Sequence, residues 1–156
     1  MHAVLRGISE EQAGVSPAPG RWSVLECLEH ITFVEGRFLE RLQAPPAVAP
    51  PPPDQSKEER LAHMVVDRSS PAQAPEIARP SGRFNSLAQA LEAFNQARTQ
   101  TIKYAAETGD RVYSACWEHP RFGVLNGGEI LVLIANHARR HGEQIREVKA
   151  ALAAKQ

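Results

Sequence analysis

The chain has 156 residues, the size of one domain, and we expect residues 1–156 to bury about two thirds of their unfolded surface in a single core. Eighteen basic residues balance eighteen acidic ones, and no cationic block stands out. This pattern lacks the electrostatic attraction that dominates nucleic-acid affinity, so neither nucleic acid nor an acidic membrane is an expected partner.

The amino-terminal end, Met1 to Gly14, contains no long hydrophobic run. It therefore predicts neither a signal peptide nor a membrane span. The two cysteines, Cys27 and Cys116, lie far apart without a Cys-x-x-Cys spacing. This usage is typical of a reduced, intracellular protein, and we expect a cytoplasmic location.

Capping boxes mark the helix starts in the first half of the chain. Ser9-Glu-Glu-Gln12 predicts a short first helix, which the Pro-Ala-Pro-Gly run at 17–20 ends. Ser23-Val-Leu-Glu26 predicts a long helix to about Gln43. Six of the ten residues from Ala44 to Pro53 are proline, which favours an extended surface loop. The apolar positions of the long helix repeat with helical period: Val24, Leu28, Ile31, Phe38, Leu39 and Leu42.

The second half alternates helices with irregular segments. Ser56-Lys-Glu-Glu59 predicts a short helix to about Val66, and the proline-containing stretch 67–85 predicts irregular structure. Ser86 begins the next long helix, which ends near Gly109.

A linker is predicted over residues 111–126, which include Trp117 and His119. Asn126, followed by Glu129, begins the last helix, which continues to about Ala154. Together these elements predict an all-α helical bundle with negligible sheet.

Two histidines of the last helix form a candidate metal site. At about 100° per residue, His137 and His141 differ by about 40° around the helix axis and share a sector with apolar residues. Imidazoles one turn apart can share a metal ion, but other segments must supply a further ligand. A zinc peptidase is disfavoured, because that site requires His-Glu-x-x-His and no glutamate follows His137.

His30 is the candidate for the third ligand. It lies at the edge of the apolar stripe of its helix, about 110° from the stripe centre. A histidine at such an edge is usually only a boundary residue. The residue pattern alone leaves both interpretations open.

The other candidate residues favour structural roles. Cys27 is either a reactive thiol or an inert core residue, and the second is commoner. His119 either approaches the metal or packs in a turn beside Phe122, and we favour packing. We expect His2 and His63 on the surface. Trp22 and Trp117 are more typical of core residues than of ligand contacts.

Three segments together resemble the DinB superfamily, also described as DinB/YfiT-like. They are Pro17-Ala-Pro-Gly-Arg-Trp-Ser-Val-Leu-Glu-Cys-Leu-Glu-His30, His119-Pro-Arg-Phe-Gly-Val-Leu125 and Ile134-Ala-Asn-His-Ala-Arg-Arg-His-Gly-Glu-Gln-Ile145. The first and last are similar to the family's Trp-Ser-x-x-Glu-x-x-x-His helix and late His-x-x-x-His-x-x-Gln-Ile helix. The resemblance spans most of the chain and implies an up-down-down-up four-helix bundle. It also implies one divalent metal ion held by His30, His137 and His141.

The chain departs from the family pattern at its amino-terminal end. The first bundle helix of the family usually runs several turns before the position of the Ser9 box, whereas only Met1 to Gly7 precede the box here. We therefore expect a short or incomplete first helix, and the proline-rich loop is a further addition. Apolar surface left uncovered by a short helix predicts a homodimer with twofold symmetry.

The implied site has the chemistry of a catalytic centre. Three neutral imidazoles leave a divalent ion with its full charge and an open position, and zinc and nickel both suit imidazole. Glu26 and Gln144 are the nearest candidates to orient the ligand rings through hydrogen bonds, and each is equally explained as a solvated polar residue. The sequence identifies no catalytic residue beyond the metal ligands.

Two classes of function remain. The first is a metal-dependent enzyme that activates a thiol or water for transfer, isomerisation or hydrolysis of a small-molecule substrate. We prefer the branch with a low-molecular-weight thiol, because no carboxylate base is evident. The second is a non-catalytic, stress-linked binding or interaction protein with a vestigial or structural metal.

Overall fold

The computed structural model describes residues 1–69 and 73–155 and confirms the predicted all-α fold, with one short β-hairpin added. The helices are α1 (His2–Leu5), α2 (Glu10–Ala13), α3 (Val24–Gln43), α4 (Gln55–Val66), α5 (Leu87–Thr108) and α6 (Gly127–Ala153). Strands β1 (Cys116–His119) and β2 (Gly123–Asn126) form the hairpin, and 3-10 turns cover Glu76–Ala78 and Gly109–Ser114. Within residues 1–69 and 73–155, none of the helices combines the length and apolar composition that crossing a bilayer requires.

Four helix starts follow the predicted caps, whereas α4 has a different cap and α1 has no side-chain cap. Reciprocal capping boxes are present at Ser9, Ser23 and Asn126, and the Ser86 hydroxyl caps α5. Helix α4 begins earlier than predicted, because the Asp54 carboxylate accepts from the Lys57 amide in place of a Ser56 cap. Residues 67–85 were predicted to be irregular. Residues 70–72 lie outside the described part of the chain, and the rest of this stretch contains the 3-10 turn Glu76–Ala78.

The four long helices run in two opposite directions, two helices in each. Helix α6 packs between α3 and α4, and α5 packs on the other side of α3. Helices α3 and α6 are antiparallel, since Val24 clusters with Val148 at one end of the bundle and Leu42 clusters with Ile130 at the other. Helices α3 and α5 are parallel: Leu28 shares a cluster with Ala90, and the Tyr104 hydroxyl donates to the Leu42 carbonyl.

Helix α4 runs parallel to α6. Lys57 near the start of α4 pairs with Glu129, and Arg140 later in α6 donates to the carbonyl of Val65 near the end of α4. Helices α4 and α6 therefore point one way and α3 and α5 the other. In chain order the four long helices alternate in direction, which differs from the up-down-down-up order implied by the resemblance, because α4 lies between α3 and α5 in the chain and runs opposite to both.

The first helix is short, as predicted. Helix α1 rests on α6, where the Lys149 ammonium donates to the carbonyls of Val4 and Arg6 at 3.0 and 2.7 Å. Helix α2 reaches α5, where the Glu10 carboxylate accepts from the amides of Leu87 and Ala88. Both short helices therefore cover one end of the bundle and leave its flank to α4.

This position of α4 changes the argument for a dimer. The homodimer was inferred from apolar surface that a short first helix would leave uncovered. Helix α4 packs along α6 and buries Leu61 among the core residues there. The dimer stays a prediction for light scattering to test, and an uncovered flank beside α6 no longer supports it.

The linker predicted at 111–126 is instead a 3-10 turn followed by the antiparallel hairpin. Cys116 pairs with Asn126 and His119 with Gly123, whose φ of 69° suits the tight turn. The hairpin also holds the proline-rich loop: the Cys116 thiol donates to the Val48 carbonyl, and Asn126 Nδ2 donates to the carbonyls of Pro51 and Pro52. The strands were missed because each has only four residues.

A glycine is required where α6 begins against the preceding 3-10 turn. A Cβ on Gly127 would lie 2.0 Å from the carbonyl oxygen of Val112, and this backbone atom cannot move aside as a flexible side chain can. We expect Gly127→Ala to lower the free energy of unfolding by about 1–3 kcal/mol or more. Gly36→Ala in α3 is the matched control, because its Cβ meets nothing within 4 Å. The control should stabilise by about 0.5–1 kcal/mol, and urea unfolding of both variants tests the contrast.

Candidate metal centre

Three histidines from two antiparallel helices converge between α3 and α6. His30 lies on α3, and His137 and His141 lie one turn apart on α6. The Nε2 atom of His137 is 3.2 Å from Nε2 of His30 and 3.2 Å from Nε2 of His141. One donor atom from each ring lies within 4.8 Å of the other two. The structure thus brings together the three residues that the family resemblance implied as ligands.

Hydrogen bonds on the outer ring nitrogens fix the orientation of two of these imidazoles. His30 Nδ1 lies 2.7 Å from the carbonyl oxygen of Ala78, and His141 Nδ1 lies 2.8 Å from Oε1 of Gln144. Because a carbonyl oxygen only accepts, each Nδ1 carries the proton and donates it. Each Nε2 therefore presents its lone pair to the centre of the cluster, as a metal ligand does.

The two residues suggested as ring orienters have different outcomes. Gln144 lies against His141, as in the ring-orienting interpretation that the sequence left open beside a solvated role. Glu26 lies elsewhere: its carboxylate accepts from the Ser23 amide at 2.7 Å and so caps α3. The Ala78 carbonyl takes the place beside His30 that was suggested for Glu26, because the cap already holds that carboxylate.

Glu29 is a residue of the site that the sequence did not reveal. It is 4% exposed, directly precedes His30, and accepts from the amides of Ser81, Gly82 and Arg83 and from the Ser81 hydroxyl at 2.7–3.1 Å. These bonds hold the segment that follows Ala78 against α3. Only the position of Glu29 beside a candidate ligand could have drawn attention to it.

Trp22 forms one wall of the centre. Its ring centroid is 4.9 Å from that of His30 and 6.0 Å from that of His141, to which it is stacked. The indole is half-buried and also packs against the apolar cluster around Val24. It is therefore both a core residue, as expected, and a neighbour of two candidate ligands.

The site favours uncharged imidazoles. Burial is the main cause that lowers the pKa of each histidine, and for His141 it brings the pKa to about 3, with the charge of His30 adding to the effect. For His137, burial and then the charges of His141 and His30 hold the pKa well below its usual range. The Ala78 hydrogen bond partly opposes burial at His30. Neutral imidazole is the form that binds metal ions.

The donor set fits a divalent ion. Two imidazole nitrogens about 2.0–2.1 Å from a shared zinc ion at a near-tetrahedral angle are about 3.3 Å apart. The two Nε2–Nε2 separations of 3.2 Å that involve His137 agree with this value, and all three donor atoms lie within 4.8 Å of one another. Among the residues that the structure describes, no aspartate, glutamate or cysteine joins the histidine group. An ion held here would therefore keep its full charge.

The remaining candidates lie outside this centre. The ring of His119 packs between Trp117 and Phe122 at 4.8 Å from each, and its Nδ1 accepts from the Arg121 amide. His63 is exposed on α4. Cys27 is fully buried, and burial raises its pKa to about 12, so the inert interpretation of this thiol holds.

The bundle and its three convergent imidazoles agree with the family comparison. The chain belongs to the DinB superfamily, whose model matches residues 1–145 and so includes all three histidines. Among individual proteins, the chain is similar to YuaE, an uncharacterized protein of Bacillus subtilis (strain 168). The two are 26% identical over 145 residues, which cover 93% of this chain and 88% of YuaE.

The metal-free protein should lose stability as the pH falls. In the unfolded chain a histidine binds a proton below a pKa of about 6.5, whereas folded His141 resists protonation down to about 3. Between these values the unfolded state binds more protons, so the stability present above pH 6.5 is lost by about 1.4 kcal/mol per pH unit for this group. Urea unfolding at several values from pH 7 to 5 measures the slope. His141→Gln should give a shallower slope than the parent protein, whereas the variant His63→Gln, at an exposed position, should keep the slope of the parent. Equal slopes in the parent and both variants would contradict the attribution of the pH dependence to His141.

Proposed function

We propose that this protein is a metal-dependent enzyme that uses His30, His137 and His141 to activate a thiol or water for reaction with a small molecule. The observation that carries the proposal is the convergence of three Nε2 atoms, with two of the rings held from outside by Ala78 and Gln144. Zinc and nickel are the ions we favour, because imidazole suits both. A bound ion would lower the pKa of a thiol or water at its open position.

The protein's own residues hold and orient the ligands. Glu29 and the Ala78 carbonyl keep His30 in place, Gln144 keeps His141 in place, and the Trp22 ring covers one side of the pair. Burial keeps the rings neutral, so protons compete weakly for the nitrogens at neutral pH. These contacts support an organised site.

The carboxylates near the ligands favour thiol chemistry over hydrolysis. Glu26 caps a helix and Glu29 is occupied by backbone amides, so neither is free to take a proton from water. A thiol needs less help, because its pKa already lies near 8.5. In the reaction we favour, the thiolate sulfur bonds to an electrophilic carbon, the leaving group departs with its bonding electrons, and the thiol proton passes to solvent. Isomerisation through reversible thiol addition is the related possibility.

The test begins with metal analysis of protein purified without a nickel column. The metal-loaded protein is then assayed with cysteine and 1-chloro-2,4-dinitrobenzene for thiol transfer, and with 4-nitrophenyl acetate for hydrolysis. We expect thioether formation above the uncatalysed rate, lost in the metal-free protein and in His30→Ala but kept in His63→Ala. Metal-dependent hydrolysis alone would favour the water branch, and stable metal without either activity would favour the non-catalytic alternative.

A further inference from the structure

A groove lies between α4 and the turn of the β-hairpin, and none of the residues that line it belongs to the histidine centre. Its volume is about 330 Å³. Three of the lining residues are cationic and three are apolar: Lys57, Arg60, Leu61, Met64, Arg121 and Phe122. The four from α4 are spaced at i, i+3, i+4 and i+7, so one face of that helix lines the groove.

The three apolar residues that line the groove range from buried to exposed. Leu61 is 3% exposed and Met64 is 46% exposed. Phe122 from the hairpin turn is half-buried, and its ring packs beside His119. An apolar ligand body in this groove would cover the exposed part of Met64 and rest on two anchored side chains.

The three cationic residues differ in how closely a carboxylate pairs with each. Lys57 pairs with the buried Glu129 carboxylate at 2.8 Å. Arg60 lies 4.0 Å from Asp54, and both side chains are largely exposed, so solvent screens this pair strongly. The Arg121 guanidinium lies over the Phe122 ring, 5.3 Å from its centroid, and within residues 1–69 and 73–155 no carboxylate comes within ion-pair distance of it. Arg60 and Arg121 therefore leave positive charge available at the groove.

We propose that this groove binds a small amphipathic anion, a monocarboxylate with a compact apolar chain. Arg60 and Arg121 hold its carboxylate through charge-assisted hydrogen bonds, and Leu61, Met64 and Phe122 contact its chain. The groove volume lies at the small end of the range of about 300–1,000 Å³ that ligand sites occupy. Binding here does not depend on the proposed metal chemistry, so the two proposals can fail separately.

Calorimetric titration with octanoate, octan-1-ol and octylammonium tests the proposal on the full-length protein. The three probes share an alkyl chain and differ in the charge of the head group. We expect octanoate to bind with a dissociation constant below about 1 mM and at least tenfold more tightly than the other two. No octanoate binding in this range, or equal binding of octanoate and octanol, would overturn the proposal.

Variants locate the binding site. Arg60→Gln and Arg121→Gln should each weaken octanoate binding by about 10- to 100-fold, because each removes a hydrogen bond between charged groups. Met64→Glu should abolish octanoate binding and increase that of octylammonium. Arg37→Gln is the matched control, since Arg37 is an exposed arginine of α3 that pairs with Glu40. Unchanged octanoate affinity in all three groove variants, with the helical circular dichroism intact, would place the binding elsewhere and refute the assignment.

Discussion

Replacing His30, His137 or His141 singly with alanine should abolish stable metal binding. Each change leaves two imidazoles where three converge, and a site with two histidines competes poorly with buffer. Metal content after dialysis measures the loss directly. Melting temperature gives a second readout, because a ligand that binds only the folded state stabilises it by mass action. Added zinc or nickel should raise the melting temperature of the parent protein and leave that of the three variants unchanged.

Two control histidines and one ring-orienting residue sharpen this experiment. His63→Ala and His119→Ala should keep the metal, since the first side chain is exposed and the second packs in the hairpin cluster. Gln144→Ala removes only the hydrogen bond to His141 Nδ1 and should weaken metal binding by about 10- to 100-fold. Loss of metal in the His119 variant together with retention in the His30 variant would move the site to the hairpin.

Lys57→Met should lower the free energy of unfolding by about 3–5 kcal/mol, because it leaves the Glu129 carboxylate buried without its cation. Glu129 is fully buried in the first turn of α6, where Lys57 Nζ lies 2.8 Å from its Oε2. Urea unfolding with an unchanged m-value would report this loss as one of stability. The double variant with Glu129→Gln should recover part of it.

Lys103→Met is the matched control for this ion pair. Lys103 and Glu107 are 3.8 Å apart on α5, and both side chains are about 70% exposed, at 71% and 67%. Solvent screens such a pair, so its loss should change stability by less than about 1 kcal/mol. Equal effects of the two lysine variants would show that burial of Glu129 does not set the strength of its pair.

Local sequence signals predicted the long helices and singled out two of the three clustered histidines. Ser23 and Asn126 specify helix starts through contacts within three residues, and these short-range bonds are the ones observed. The spacing of His137 and His141 places both rings on one face of α6. His30 could be assigned only through the family pattern, because its partners lie 107 or more residues away along the chain.

Local sequence signals could not predict contacts between segments that lie far apart in the chain. The Ala78 carbonyl reaches His30 across 48 residues, and a backbone atom leaves no mark in the sequence. The position of α4 along α6 depends on Lys57 finding Glu129, 72 residues later. The hairpin was missed for a related reason: its four-residue strands are held by pairing across the turn and by burial of Leu125, and their own periodicity is too short to predict them.

The bond between Ala78 and His30 also joins the centre to the segment at residues 78–83. Glu29 holds the amides of Ser81, Gly82 and Arg83, so local opening of this segment exposes those amides and releases the outer partner of His30 together. An ion bound at the centre would then be thermodynamically linked to closure of residues 78–83, and whatever favoured one would favour the other to the same extent. Hydrogen exchange at these three amides becomes a reporter of events at the imidazoles, and a slow escape of the ion would reflect the rate at which the segment opens.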